Sequence, residues 1–307
     1  MGTHGHHGHG GRQDVGASQA VTLRFRGRVV ERDRALVMAI VNRTPDSFYD
    51  KGTTYGLAEA LRAADRAAAE GADIVDIGGV KAGPGGEVGV AEEIRRVVPV
   101  VSAVRERHPD LVISVDTWRA EVGRKACAEG ADLINDTWQA ADPRLAEVAA
   151  EFGAGYVCSH TGGAAPRTLP HRVQYADVVA SVAEEVTAKA ERLVALGVPR
   201  EGVLIDPTHD FGKNTWHGLE LLRRLRELTS TPWPVLMALS NKDFVGETLG
   251  AGLRDRVDGT LAATAVAAWE GAAVFRAHEV RRTRQVLDMV GSIRGTRPPA
   301  EALRGLT

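Results

Sequence analysis

Glu70-Gly71-Ala72-Asp73-Ile74-Val75-Asp76-Ile77-Gly78 is the stretch that decides the fold. An amphipathic Ala/Leu-rich segment ends here in a glycine, and a β-branched run follows at once. Glycine supplies the left-handed backbone that terminates a helix, as a tight helix-to-strand turn requires. The same device returns in EGADLIND at 129–136 and in EFGAGYVC at 151–158.

Outward from these three, one pattern runs through most of the chain. Short apolar runs lie at 35–41, 73–77, 111–115, 132–134, 155–158, 202–205, 235–239 and 272–275. Helix-like segments begin near Leu57, Val90, Arg119, Pro143, Val173, His217, Arg256 and His278. Strands alternating with helices predict a parallel sheet. Eight such units predict α/β architecture closed into a (β/α)8 TIM barrel over about residues 35–292. Ahead of it, VTLRFRGRVVERDR at 21–34 alternates around Gly27 and predicts a short β-hairpin with one buried face.

With no internal linker apparent, residues 21–307 read as a single domain. Residues 1–20 are rich in Gly and His, including His4, His6, His7 and His9, and are expected to be a disordered tail; a metal-binding tract is the other reading. The 38 basic and 40 acidic side chains give a net charge of −2, which argues against a nucleic-acid partner. The longest apolar run, 261–269, is far short of the ~20 residues of a membrane span. No signal peptide is visible, and two cysteines, Cys127 and Cys158, fit a reducing cytoplasmic setting.

Barrels of this kind carry their chemistry at the C-terminal strand ends. Those ends here offer Asn42, Asp116, Asn135, Asp206, Lys242, Arg276 and His278. Any one of the Asp, Asn or Thr residues at such an end could be a helix cap. Together, Asp116, Asn135, Asp206 and Lys242 supply carboxylate and carbonyl acceptors with amide and ammonium donors, which suits a flat heterocycle with an amide edge. Arg276 and His278 alternate on one strand and, with Asn42, suit a phosphate or a magnesium-bound pyrophosphate.

Several segments resemble dihydropteroate synthase of the folate pathway, over about residues 35–292. The most specific is Asn42-Arg43-Thr44-Pro45-Asp46-Ser47-Phe48, similar to the family's Asn-x-Thr-Pro-Asp-Ser-Phe. Others are Asp76-Ile77-Gly78-Gly79, Ser114-Val115-Asp116-Thr117, Ile134-Asn135-Asp136, Asp206-Pro207 with Phe211-Gly212-Lys213, and Arg276-Ala277-His278. The family joins p-aminobenzoate to a dihydropterin methyl pyrophosphate. The resemblance implies that Asp116, Asn135, Asp206 and Lys242 bind the pterin. It implies that Asn42, Arg276 and His278 bind the pyrophosphate, with Asn42 on Mg2+. Asp46, Asp50 and Lys242 would be catalytic, the two aspartates stabilising a pterin cation once pyrophosphate has left. A homodimer formed through outer helices is also implied.

Where the family continues Glu-Ser-Thr-Arg-Pro-Gly after the second strand, this chain has Val80-Lys81-Ala82-Gly83-Pro84-Gly85. A hydroxyl and a guanidinium are lost, and Lys81 returns a charge two positions early without the planar fork. The family's Ser-Arg-Lys followed by Ser or Thr is here Ser240-Asn241-Lys242-Asp243, and Asp243 is expected to repel the p-aminobenzoate carboxylate. Thr208 and Asp210 stand in place of glycines and are expected to crowd the pterin side. Ser159 and Thr161 replace methionines flanking His160 and are expected to make the wall more polar. The expectation is a synthase homologue with a partly retained pterin site and little or no synthase activity. The alternative is a working synthase with altered loops.

Overall fold

The computed structural model describes residues 21–42, 56–168 and 174–304. Asp46, Asp50 and the histidine-rich residues 1–20 lie outside the described residues. The first described elements are β1 (Val21–Phe25) and β2 (Arg28–Arg32), an antiparallel hairpin. The barrel then begins with β3 (Leu36–Asn42), α1 (Leu57–Ala69), β4 (Ile74–Gly78), α2 (Val90–Arg107), β5 (Val112–Asp116) and α3 (Ala120–Ala128). It continues with β6 (Leu133–Asp136), α4 (Arg144–Phe152), β7 (Gly155–Ser159), α5 (Val178–Ala195), β8 (Val203–Asp206), α6 (Thr215–Arg223) and the single turn α7 (Arg226–Thr229). The last elements are β9 (Leu236–Met237), α8 (Asp243–Leu249), α9 (Val257–Trp269), β10 (Val274–Ala277) and α10 (Val280–Ile293).

The eight barrel strands run in the order β8-β7-β6-β5-β4-β3-β10-β9, all parallel. A parallel bridge between Ile205 and Val235 brings β8 against the residue before β9 and closes the circle. The turns that decided the fold behave as the glycines require. Gly71 and Gly130 have φ of 94° and 111°, and each lies three residues before the start of a strand.

Two cores result. One fills the barrel, with Leu36, Met38, Ile74, Val112, Leu133, Val157, Leu204, Leu236 and Val274 meeting Leu23, Phe25 and Val30 of the hairpin. The hairpin therefore plugs the N-terminal mouth of the barrel, and its apolar face is the one the alternation predicts. The other core lies between the strands' outer faces and the helices. Val30→Ala removes two buried methyl groups from the plug and should lower stability by about 1.5–2.5 kcal/mol, as denaturant unfolding would measure.

Seven of the eight barrel strands end one or two residues later than the apolar runs predict, β9 being the exception, so Asp116, Asn135 and Asp206 belong to strands rather than to loops. Hydrogen bonding continues past the last apolar residue, and composition alone does not mark that. Helix α5 begins at Val178, five residues after the expected start, because Asp177 caps it by accepting from Val179 and Ala180. Helix α6 begins two residues early, where Asn214 and His217 form a reciprocal capping box. Among the described residues, no helix is long and apolar enough to cross a membrane.

Candidate active site

Alternation along the strands builds the site. Residues two apart on a strand share a face. Above the barrel core, the same row carries Asn42 on β3, Asp76 on β4, Ser114 and Asp116 on β5, Asn135 on β6, Asp206 on β8 and Arg276 on β10. The apolar core is thus roofed by a polar layer facing the C-terminal mouth.

Asn42, Asp116, Asn135, Asp206, Lys242 and Arg276 line one pocket there, with Val80, Lys81, Ala82, Thr137, Thr208, Phe211 and Ala238 completing its wall. Of the predicted residues that are described, all come together here except one. His278 is not part of the lining; its Nδ1 lies 2.9 Å from Ser240 Oγ.

Asp76 organises the floor of the pocket. Fully buried, it accepts from Ser114 Oγ at 2.6 Å, Asn135 Nδ2 at 3.0 Å and Arg276 Nε at 2.6 Å. Arg276 Nη2 donates to Asp116 Oδ2 at 2.8 Å, and Asp116 Oδ1 accepts from Thr137 Oγ1 at 2.9 Å. One guanidinium thus bridges two carboxylates. Burial pushes the Asp116 carboxyl up to about 7 against the opposing pull of Arg276. A carboxyl poised there can accept or donate to a ring edge near neutral pH.

Burial also raises Asp206 to about 6, although its carboxylate accepts the Thr208 N–H at 2.7 Å. Burial lowers Lys242, opposed mainly by Asp210, and its ammonium lies 4.6 Å from the centre of the Phe211 ring. The folded Asp206 carboxyl holds its proton more tightly than an unfolded one. It therefore favours the fold at pH below about 4, and that advantage is lost as pH rises through about 6. Asp206→Asn removes this dependence. Relative to the parent it should gain nothing at pH 4 and about 1–2 kcal/mol at pH 8 in denaturant titrations.

The loop after β8 is strained and held. Thr208 and Asp210 there, and Asn241 after β9, have φ of 53°, 69° and 57°, in the left-handed region that glycine favours and a β-branched threonine resists. Lys213 Nζ pins the loop. It lies 2.9 Å from the His160 carbonyl, 3.0 Å from that of Phe211, 3.3 Å from that of Thr208 and 2.8 Å from His160 Nδ1. Burial keeps His160 neutral, at about 3, so Nδ1 accepts from the lysine.

Three expectations about the altered loops need correction. Asp243 does not line the pocket; its largely exposed carboxylate pairs with Arg256 at 2.8 Å, so it is not placed to repel a bound anion. Asp210 does not crowd the pocket either. It accepts from the Asp243 and Phe244 backbone N–H groups at the start of α8; only Thr208 of the two reaches the wall. Ser159 and Thr161 are likewise absent from the lining. Their hydroxyls engage Asp136 and Gln139 instead. Each added polar group is consumed locally, which a motif comparison does not show.

Asp76 was named in the sequence only as part of a motif, and its role is that of the floor's shared acceptor. The signal was present: with Ile74 facing inward, Asp76 must face inward too. Among the described residues no three His, Cys, Asp or Glu side chains are grouped to hold a metal.

The model of a family described as "Pterin binding enzyme" matches residues 38–278. A protein of Mycobacterium leprae named "Inactive dihydropteroate synthase 2" is 64% identical over 284 residues, covering 91% of this chain and 98% of that relative. The Escherichia coli K12 dihydropteroate synthase is 39% identical over 255 residues, covering 83% and 90%. The solved Xanthomonas albilineans dihydropteroate synthase with 4-aminobenzoic acid superposes with a TM-score of 0.81 at 38% identity, over 90% of this chain and 98% of that one. The match spans the strands that build the pocket from β3 through β10, so the chain belongs to the pterin-binding enzyme family as a dihydropteroate synthase homologue.

Proposed function

We propose that the chain binds a dihydropterin or its methyl pyrophosphate in this pocket and has little or no synthase activity. The observation that carries this reading is an uneven pocket. Asp116, Asn135, Asp206 and Lys242 all line it, whereas the loop after β4 contributes only Val80, Lys81 and Ala82. The ring would be met by the carboxyls of Asp116 and Asp206, the amide of Asn135 and the ammonium of Lys242. Magnesium would arrive as part of the substrate, bound to pyrophosphate oxygens, with the neutral Asn42 amide oxygen as one further ligand. That division suits an ion that keeps most of its shell in water and phosphate.

Synthase turnover needs the amine held against the pterin methylene as pyrophosphate departs. Ala82 and Gly83 bring neither a hydroxyl nor a guanidinium to that loop, so contacts made only in the closed ternary complex are missing and kcat falls. The mycobacterial relatives named as inactive support the same reading. Pyrophosphate release, followed with saturating pterin pyrophosphate, Mg2+ and p-aminobenzoate, tests it. The expected rate is at background; about 1 s⁻¹ or more, ordinary for an enzyme, would favour a working synthase.

A homodimer through α9 and α10 belongs to the same proposal. These neighbouring helices leave Val266, Trp269, Met289 and Ile293 exposed, a surface that water disfavours and a second copy would cover. Light scattering should give twice the chain mass, and Trp269→Glu with Met289→Lys should return a monomer.

A further inference from the structure

We infer that Arg167 is a positioning residue for the pocket: it ties the loop after β4, which supplies Val80, Lys81 and Ala82 to the lining, to the loop after β7. The inference takes its ligand from the pterin reading above and deepens that reading.

Residues 83–86 read Gly-Pro-Gly-Gly. Three glycines bring no side chains to pack and many backbone states to lose. Such a segment takes a fixed place only through partners for its backbone groups. At the two ends of the loop, Arg96 Nη1 of α2 donates to the Gly79 carbonyl at 3.0 Å, and Arg119 Nη2, just before α3, donates to the Val88 carbonyl at 2.7 Å. In the middle, Arg167 Nε donates to the Gly83 carbonyl at 3.3 Å and its Nη1 to the Gly86 carbonyl at 2.8 Å. The guanidinium is planar, so its two donors fix both carbonyls at once. Position 83 has no side chain, yet a guanidinium stands at its carbonyl, brought from 84 positions along the chain.

Two further features suit the role. Arg167 has φ of 61°, a left-handed backbone that a non-glycine residue adopts at a cost, and such strain persists where surrounding contacts over-determine it. Gly85 leaves room for the guanidinium, since a methyl group added there would come within 2.8 Å of Arg167 Nη2. In the barrel, β6 and β5 separate β7 from β4, so the tie reaches past the ends of the strands that carry Asn135 and Asp116. A lining set in place before the ligand arrives lowers the ordering cost of binding.

Hydrogen exchange on the full chain, with calorimetry using dihydropterin methyl pyrophosphate and Mg2+, tests the inference. In free Arg167→Ala the amides of residues 80–88 should exchange at least about fivefold faster, and saturating ligand should return them to the parent's protection. Affinity should fall about fivefold, because ordering the loop then falls to the ligand. Arg167→Lys should recover only part of both effects, since an ammonium lacks the planar fork. Gly85→Ala should act in the same direction, with the guanidinium retained but displaced; the flexible end of the arginine can withdraw without disturbing the fold. Unchanged exchange at 80–88 in a folded Arg167→Ala protein overturns the inference, and so does faster exchange with unchanged affinity. If the parent binds no pterin pyrophosphate, the pterin reading falls, and faster exchange at 80–88 in the variant upholds the tie between the loops.

Discussion

Asp76→Ala should lower the stability of the chain by about 3–5 kcal/mol, the cost of leaving buried charged and polar partners unpaired. Three donors converge on this fully buried carboxylate, from Ser114, Asn135 and Arg276. Without it the guanidinium keeps only Asp116, and the Asn135 amide and the Ser114 hydroxyl lose their shared acceptor. Asp76→Asn should cost less, because its remaining oxygen still serves one or two of the donors. Urea unfolding of both variants, with circular dichroism as readout, gives the two values. Equal and small effects would mean that the polar floor is not a structural unit.

The second large effect is a gain. Ala82→Thr together with Gly83→Arg should raise synthase turnover at least about tenfold from background, by returning donors to the loop after β4 that borders the pocket. The two changes should not add, since both act on one ternary complex. Asn241→Arg is a different matter. Asn241 is buried at φ 57°, and neither end of its amide has a hydrogen-bond partner. Asparagine tolerates the left-handed region better than arginine does, so that restoration should cost about 1 kcal/mol of stability. Asp243→Ser should leave turnover unchanged, because the carboxylate already answers Arg256 outside the pocket.

The barrel was legible because its signals are local. Apolar runs at eight places and glycines such as Gly71 and Gly130 fix strands and turns without knowledge of the partners. The pocket was legible for a related reason. A parallel barrel places every strand end on one rim, so Asp116, Asn135, Asp206 and Arg276 had to meet whatever their distance in sequence. What stayed hidden was the pairing across the rim. That Arg276 answers Asp76 over 200 positions of chain, or that Asp243 turns to Arg256 and away from the pocket, depends on side-chain directions that no periodicity encodes. The short helices α7 and α8 were missed because neither is long enough to show a helical period.

Calorimetric titration of the chain with dihydropterin methyl pyrophosphate and Mg2+, followed by p-aminobenzoate into the saturated complex, separates pterin binding from synthase turnover. Saturable heat is expected in the first titration and none in the second. No heat in the first titration, or a second binding event accompanied by pyrophosphate release, would contradict it.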